Sequence, residues 1–450
     1  MRGDRAFVIV VAVLMAAFVA VFCTLPRSRY SELEKRELRT FPAYSATTLR
    51  DGSFTAEVSN WFSDSEPFRD AFMTASMQLK SWMAFKPLRA SKESVTFHAP
   101  EPEQAGEEPF VEAEPATVEP ATAPVMRNQR DIQEYHHDVN ANAKMENAGV
   151  IVVGSAPTAR ALMAFKNKNK GEKAFAKVVN AYRQVFAPDV TVYCMIIPTA
   201  VEYYCPESAR SCTQPEFPVL KELYSLIDTA VQVVDLYMVM GEHLDEDIYM
   251  RTDHHWSPLG AYYAARQFAE VAGVKVPDLS EFDRQVIEGY VGSMYGFSKD
   301  INVKKSPEDF VYYTPKTATY STTYIKYQLD KDYRITGEEK PHQGDFFVKV
   351  STSGSAYCTF MGSDARITQV VTEVDNHRRL LILKDSFGNA LPGYLFNSFE
   401  EVHVIDFRYF THNIRQYVKD HSITDILMAN NLSHVCSGGI GAAYQRFLKQ

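Results

Sequence analysis

Arg379 to Asn389 reads RLLILKDSFGN, an apolar run that passes directly into a cluster of turn residues. Leu381 to Lys384 form a short apolar run of strand type, followed at once by the turn formers Asp385, Ser386, Gly388 and Asn389. An apolar run with no polar alternation suits a strand buried on both faces, as in a parallel sheet covered by helices. Similar runs occur at GVIVVG (149–154), DVTVYCMIIP (189–198), VQVVDLY (231–237), EVHVIDF (401–407) and TDILMANN (424–431). Helical stretches at 172–186, 217–230, 258–272 and 411–421 separate several of them. The alternation predicts an α/β fold with a mainly parallel sheet. Residues 309–350 differ, because FVYYTPKTATYSTTYIKYQL and DFFVKV alternate apolar and polar side chains. That pattern predicts an antiparallel β insertion packed beside the main sheet. No internal repeat is evident.

A serine in the turn after a parallel strand lies at the carboxyl edge of the sheet, where α/β sites are built. Its hydroxyl is a poor nucleophile and needs a positioned base. The stretch RTDHHWSPLGAYYAARQFAE (251–270) offers one. Ser257 and Pro258 read as the N-cap and first position of a helix, so Asp253, His254, His255 and Trp256 occupy the loop before it. In a turn an aspartate can reach the imidazole two positions on. Asp253 is then the orienting carboxylate, His255 the base and Ser386 the nucleophile. His254 faces elsewhere, hydrogen-bonded or lining the cleft. Trp256 is either a sugar-stacking platform or a core residue. If a helix begins at Ser386, its backbone N–H groups could stabilise an oxyanion. Two plainer readings stay open. DSFGN could be a self-capped turn, and DHH could be a structural loop or a weak metal site whose remaining ligands are not identifiable.

The other features bound the class. A chain of 450 residues with net charge -9 holds one large or two medium domains and lacks the basic face that nucleic acid requires. Ala6 to Leu25 is an uncharged apolar stretch of about 20 residues, which suits an uncleaved transmembrane helix, with a cleaved signal peptide as the alternative. The organisation expected is an anchor (1–29), a helical membrane-proximal segment (30–99), an acidic Pro-rich linker (100–126) and an α/β domain (127–450). Residues 100–124 carry seven Glu, six Pro and no Lys or Arg, a composition that favours disorder. Tyr135-His136-His137-Asp138 reads as a solvated surface patch. Cys194, Cys358 and Cys436 read as core residues, while Cys205 and Cys212 could close a small disulfide. Nothing here requires a metal or a tightly bound cofactor.

RTDHHWSPLGAYYA resembles the signature of the bacterial DHHW proteins. The resemblance extends through SELEKRELRTFP, WFSDSEPFRDAF, MIIPTAVEYY, VQVVDLY, GSMYG, LLILKDSFGN and VHVIDFRYF, in the expected order over most of residues 30–432. DHHW proteins are similar to the catalytic domains of alginate O-acetyltransferases, whose fold is an SGNH-hydrolase-like three-layer α/β/α sandwich. In those enzymes an Asp-x-His pair precedes the nucleophilic serine, the order seen here, whereas ordinary SGNH hydrolases place the serine first. The resemblance implies an extracytoplasmic O-acetyltransferase or carbohydrate acetylesterase working on a cell-surface polysaccharide through an acyl-serine. It also implies a membrane-embedded partner that exports the acyl group. A non-catalytic polysaccharide-binding scaffold is the alternative outside enzymology. The resemblance, more than the Lys/Arg count on either side of the apolar span, places the body outside the cytoplasm. No GDSL block is present, so the oxyanion or substrate-binding candidates are Gly362, Asn389, Arg408, His254 and Trp256. Arg408, in the DPRY-like stretch Asp406-Phe407-Arg408-Tyr409, could contact substrate or simply pair with Asp406.

Overall fold

Five of the apolar runs form neighbouring parallel strands of one nine-stranded sheet. The computed structural model describes residues 141–330 and 334–450 without interruption, together with 36–50, 52–69, 71–72 and the positions 15, 24–25, 27, 30–31 and 135. In chain order the elements that build the sheet and its cover are α1 (Glu172–Phe186), β1 (Thr191–Ile197), β2 (Gln232–Asp235), α2 (Pro258–Ala272), β3 (Tyr320–Leu329), β4 (Ile335–Glu338), β5 (His342–Gly344), β6 (Arg366–Thr372), β7 (Arg379–Lys384), β8 (Glu401–Asp406), α3 (Ile414–Asp420), β9 (Asp425–Asn431) and α4 (Gly439–Lys449). The sheet runs β4-β3-β6-β8-β7-β9-β1-β2, with β5 also paired to β3. Strands β8, β7, β9, β1 and β2 are mutually parallel. Strands β6, β3, β4 and β5 extend the sheet antiparallel.

Two expectations change here. The sheet is mixed rather than mainly parallel, because much of the predicted insertion does not sit beside it. Tyr320–Leu329 and the strands after it hydrogen-bond into the sheet itself. Glu308–Pro315 stays outside, in an antiparallel pair with Phe282–Tyr290, and DFFVKV (345–350) forms no strand, only an isolated bridge from Phe347 to Phe360. The run at 149–154 also leaves the main sheet. Val150–Val153 is the central strand of a separate antiparallel sheet, between Ala143–Met145 and Arg160–Met163. All four of its residues are buried, so its sequence cannot be told from that of a parallel core strand.

The registers bring the carboxyl ends of the parallel strands to one edge. Lys384 lies between Asp406 and Ala429, Asn431 pairs with Ile197, and Ile196 with Asp235. Strand β7 is central and buried from Leu380 to Lys384. Helix α2 begins where Ser257 Oγ accepts from Gly260 N at 3.2 Å and ends at Gly273, whose φ of 67° suits a left-handed cap. Helix α3 starts later than 411 because Asn413 caps the amides of Arg415 and Gln416. The helix expected over 217–230 ends at Leu226. Helix α1 packs against both α4 and Phe217–Leu226. Cys194 and Cys436 are buried as expected. Cys358 is exposed, because it lies in the short 3-10 turn Ser353–Thr359 rather than in a strand. Cys205 and Cys212 are both free thiols.

The chain divides into two compact units, residues 1–92 with 299–301, and residues 93–298 with 302–450. The described part of the first is built on the helix Ser53–Asp64. There the Arg27 guanidinium lies 4.4 Å from the Trp61 ring and donates to the Ser65 carbonyl at 3.0 Å. No described helix is long and apolar enough to cross a membrane. The expected anchor at Ala6–Leu25 lies almost wholly outside the described residues, as do the 100–126 linker and residues 136–138.

Candidate active site

The loop at 250–255 is closed by a β-bridge between Tyr249 and Trp256, with Ser257 N donating to the Ile248 carbonyl at 2.9 Å. Inside it Asp253 folds back on its own chain, its Oδ1 accepting from His255 N at 3.1 Å. The same oxygen lies 2.6 Å from His255 Nδ1. Across the sheet edge, His255 Nε2 lies 2.8 Å from Ser386 Oγ. The structure therefore brings Asp253, His255 and Ser386 into one hydrogen-bonded line, although the serine is 131 residues from the histidine.

Asp253 is held as a carboxylate. Burial by itself would raise its pKa, but the facing imidazoles of His255 and His254 and the Ser293 amide hold it well below the usual range. Its Oδ2 accepts from Tyr290 Oη at 2.9 Å and Ser293 N at 2.8 Å. An ionised acceptor on Nδ1 fixes the proton there, which leaves Nε2 free to accept from the Ser386 hydroxyl. Gly292 makes the approach possible, since a Cβ at that position would stand 2.4 Å from the Asp253 Cβ. Thr252 is fastened as well, its amide and hydroxyl both donating to Glu308 Oε1 at 2.6 Å.

The His255 ring is packed on both sides. Tyr357 stacks on it at 3.9 Å and 4° from parallel, and His254 lies at 3.8 Å and 38°. His254 places its Nδ1 2.7 Å from Ser293 Oγ. Burial, with a smaller contribution from His255, pushes its pKa down to about 3, so it is neutral near pH 7. Asp253, His254 and His255 are the one group of potential metal ligands among the described residues. Both Asp253 oxygens, both His255 nitrogens and His254 Nδ1 are already engaged by protein hydrogen bonds.

Ser386 opens a short 3-10 turn, Ser386–Ala390, capped by Asp385 Oδ1 accepting from Phe387 N at 3.0 Å. Asp385 Oδ2 accepts from Asn431 N at 2.7 Å and from Asn431 Nδ2 at 2.9 Å, and lies 3.1 Å from His434 Nδ1. Gly388 fits because a Cβ there would lie 2.5 Å from the Lys384 Cβ. From Leu380 to Phe396 every residue is buried except Ser386. The turn thus presents one side chain outward, and that side chain is the serine.

The remaining candidates have other positions. Trp256 is fully buried and donates from Nε1 to the Phe387 carbonyl at 2.8 Å, so it cannot stack on a sugar. It is a core residue that ties the histidine loop to the serine turn. Arg408 pairs with Asp406, Nε to Oδ1 at 2.8 Å, and with Asp364 at 2.9 Å. Lys384 joins the same cluster, 2.8 Å from Asp406 and 3.1 Å from Asp364. Asn389 donates from Nδ2 to Asp364 Oδ1 at 2.8 Å, which anchors the serine turn to this cluster. The Gly362 amide donates to the Cys358 carbonyl at 3.0 Å.

Sequence reasoning missed Tyr357, whose hydroxyl donates to the carbonyls of Ser386 and Phe387 at 3.1 and 3.0 Å. It also missed the parts played by Tyr290, Ser293 and Glu308. Only GSMYG gave a local signal, its Gly292 and Ser293 being the pair that closes on Asp253.

The DHHW protein family model matches residues 126–405. The crystal structure of a DHHW family protein from Eubacterium siraeum is 32% identical, with a TM-score of 0.60 over 68% of this chain and 97% of that one. Bacillus cereus PatB1, in a structure with a sulfonyl adduct, is 20% identical with a TM-score of 0.50 over 67% of this chain and 98% of its own, a likeness of fold. No curated protein matches the chain. The family model spans more than half of the sequence, and the Eubacterium siraeum protein is matched over nearly its whole length. The chain belongs to the DHHW protein family.

Proposed function

We propose that this chain is an acyl-serine enzyme, an O-acetyltransferase acting on a cell-surface polysaccharide. The observation that carries the reading is the line Asp253–His255–Ser386 at 2.6 and 2.8 Å, ending on the one half-buried residue of an otherwise buried run. In this mechanism Ser386 Oγ attacks the acyl carbonyl of a donor ester while His255 Nε2 takes the hydroxyl proton. The donor oxygen leaves with that proton, and the acyl group stays on Ser386. A sugar hydroxyl then attacks the acyl-serine, giving its proton to His255, which returns it to Ser386. Asp253 stays ionised throughout and holds the imidazolium. The same steps with water as acceptor make a carbohydrate acetylesterase.

The SGNH-like three-layer arrangement, the anchor at residues 1–29, the domain limits at 30–99, 100–126 and 127–450, and an extracytoplasmic body belong to the same proposal. So does a membrane-embedded partner that delivers the acyl group. These rest on the sequence resemblance and on the apolar stretch Ala6–Leu25. The test is to offer the protein a chromogenic acetyl ester with and without an oligosaccharide acceptor, and to follow both acetylated sugar and free acetate. Acetylated sugar that disappears in Ser386→Ala supports transfer. Acetate alone, unaffected by acceptor, supports the esterase. Neither product from folded protein favours a non-catalytic scaffold.

A further inference from the structure

A second Asp–His pair adjoins the serine turn. Asp385, the residue before Ser386, turns its Oδ2 toward His434, whose Nδ1 lies 3.1 Å away. Lys384 pairs with Ala429 on β9, and continuing that register puts Ser386 level with Asn431, three residues before His434. The His434 ring packs against Phe407, with centroids 5.9 Å apart. Burial and then His255 lower the His254 pKa, and His434 adds to the effect, so the three rings lie near one another. The His434 side chain is 36% exposed, where that of His255 is 8%. The proton transfers from and to Ser386 leave His434 unused.

Asn431 fixes which nitrogen of this ring carries the proton. Its Oδ1 accepts from His434 N at 3.0 Å, which sets the orientation of the amide. Its Nδ2 then lies 2.9 Å from Asp385 Oδ2 and 2.8 Å from His434 Nδ1, one hydrogen for each. A ring nitrogen that accepts from an amide is unprotonated, so the neutral imidazole carries its hydrogen on Nε2. Protonating the ring adds a hydrogen at Nδ1, beside Asp385, and leaves Nε2–H in place. Nε2 is therefore a donor in both charge states, the opposite of His255 Nε2, which accepts from Ser386 Oγ. It meets no hydrogen-bond partner among the described residues and is open to solvent.

Attack by Ser386 on an acyl carbonyl puts negative charge on the carbonyl oxygen, which then needs donors beside the serine. Asn389 and Gly362 are committed elsewhere, Asn389 Nδ2 to Asp364 and the Gly362 amide to the Cys358 carbonyl. We propose that His434 contacts the substrate, donating from Nε2 to the acyl carbonyl oxygen while the tetrahedral intermediate forms on Ser386. This rests on the acyl-serine reading and adds a residue to it. The serine proton goes to His255, the bond from Oγ to the acyl carbon forms, and the carbonyl electron pair moves to the oxygen that His434 holds. On collapse that pair returns, the bond to the donor oxygen breaks, and the donor oxygen takes the proton from His255. His434 gives up no proton in either step.

Two substitutions in the full chain separate the donor from the fold. His434→Asn keeps an acceptor for Asn431 Nδ2 but does not reach the Nε2 position, whereas His434→Gln places an amide donor near it. Both variants and the parent are assayed with a chromogenic acetyl ester across pH, and each is melted. The asparagine variant is expected to lose roughly tenfold to a hundredfold in kcat with little change in KM, the mark of a contact made in the transition state. Glutamine should recover most of that loss. Both pH–rate profiles should keep the parent's midpoint, because the base is still His255. Equal kcat in asparagine variant and parent, a change in KM alone, or glutamine no more active than asparagine would overturn the assignment. So would a loss that tracks a lower melting temperature in both variants. Failure of the acyl-serine reading looks different: the parent itself then neither turns over the ester nor carries an acyl group on Ser386, and both readings fall.

Discussion

Tyr357 lies flat on His255, with ring centroids 3.9 Å apart and planes 4° from parallel, and its hydroxyl donates to the carbonyls of Ser386 and Phe387. One side chain thereby fixes the imidazole and the backbone of the serine turn at once. The Asp253 hydrogen bond holds one edge of the His255 ring, His254 covers the other face, and Ser386 meets the remaining nitrogen. A base packed on both faces has little rotamer freedom left, so its 2.8 Å contact to Ser386 is set before any ligand arrives.

Tyr357→Phe should keep the stack and lose the two hydrogen bonds. Phe387 O retains its bond from Trp256 Nε1 while Ser386 O loses the tyrosine donor. The fold should lose about 1–3 kcal/mol. Ester turnover should fall roughly tenfold to a hundredfold, because the serine backbone is no longer tied to the ring that carries its base. Denaturant melts and turnover on the same samples measure both.

Asp253→Asn should leave the loop folded and remove the acceptor that fixes the His255 tautomer. Turnover of an acetyl ester should fall on the order of ten-thousand-fold. Gly292→Ala tests the same carboxylate from outside, since its methyl group would stand 2.4 Å from the Asp253 Cβ. It should cost about 1–3 kcal/mol of stability and most of the activity.

Acid stability follows from carboxylates whose pKa values the fold lowers. Burial would raise Asp253, Asp364 and Asp385, but His255 beside the first, Lys384 and Arg408 beside the second, and His434 beside the third reverse that. Below about pH 4 the unfolded chain takes up protons on these groups that the folded chain does not. The unfolded state then binds more protons, so stability rises with pH across this window and is lost as pH falls through the folded values. Glu216 acts in the opposite sense, its pKa raised by burial and by Glu202. Its share is present below its unfolded value and fades as pH rises through the folded one. Melting temperatures between pH 2 and 5 should fall with acid, and Asp364→Asn should flatten the slope.

The cluster under the serine turn should be sensitive to loss of one member. Lys384→Met leaves Asp406 and Asp364 sharing Arg408 in a nearly buried site. A cost of about 3–5 kcal/mol is expected, read as a shift in the denaturant midpoint. Removing Lys384 together with Asp406 should cost less than the two single changes summed.

The parallel strands were legible because continuous apolar runs such as Leu380–Leu383 suit only a doubly covered strand or a buried helix, and turn residues limit their length. Helix α2 was legible through its Ser257-Pro258 start. The Asp253–His255–Ser386 line followed from a turn at a strand's carboxyl end and a family resemblance, and the geometry brings those three together. Val150–Val153 misled because burial on all sides erases the difference between parallel and antiparallel partners. Tyr357, Tyr290 and Glu308 were not legible at all. They reach the site across 29, 37 and 56 residues, and no local pattern in a sequence encodes such a contact.

Covalent trapping tests whether Ser386 is the nucleophile. The full chain is treated with a sulfonyl fluoride, and separately with a chromogenic acetyl ester, and the modified residue is located by peptide mass spectrometry. One adduct is expected, on Ser386, and it is lost in His255→Ala while that variant still melts cooperatively. A folded protein that takes no adduct, or takes one on a residue other than Ser386, would contradict it.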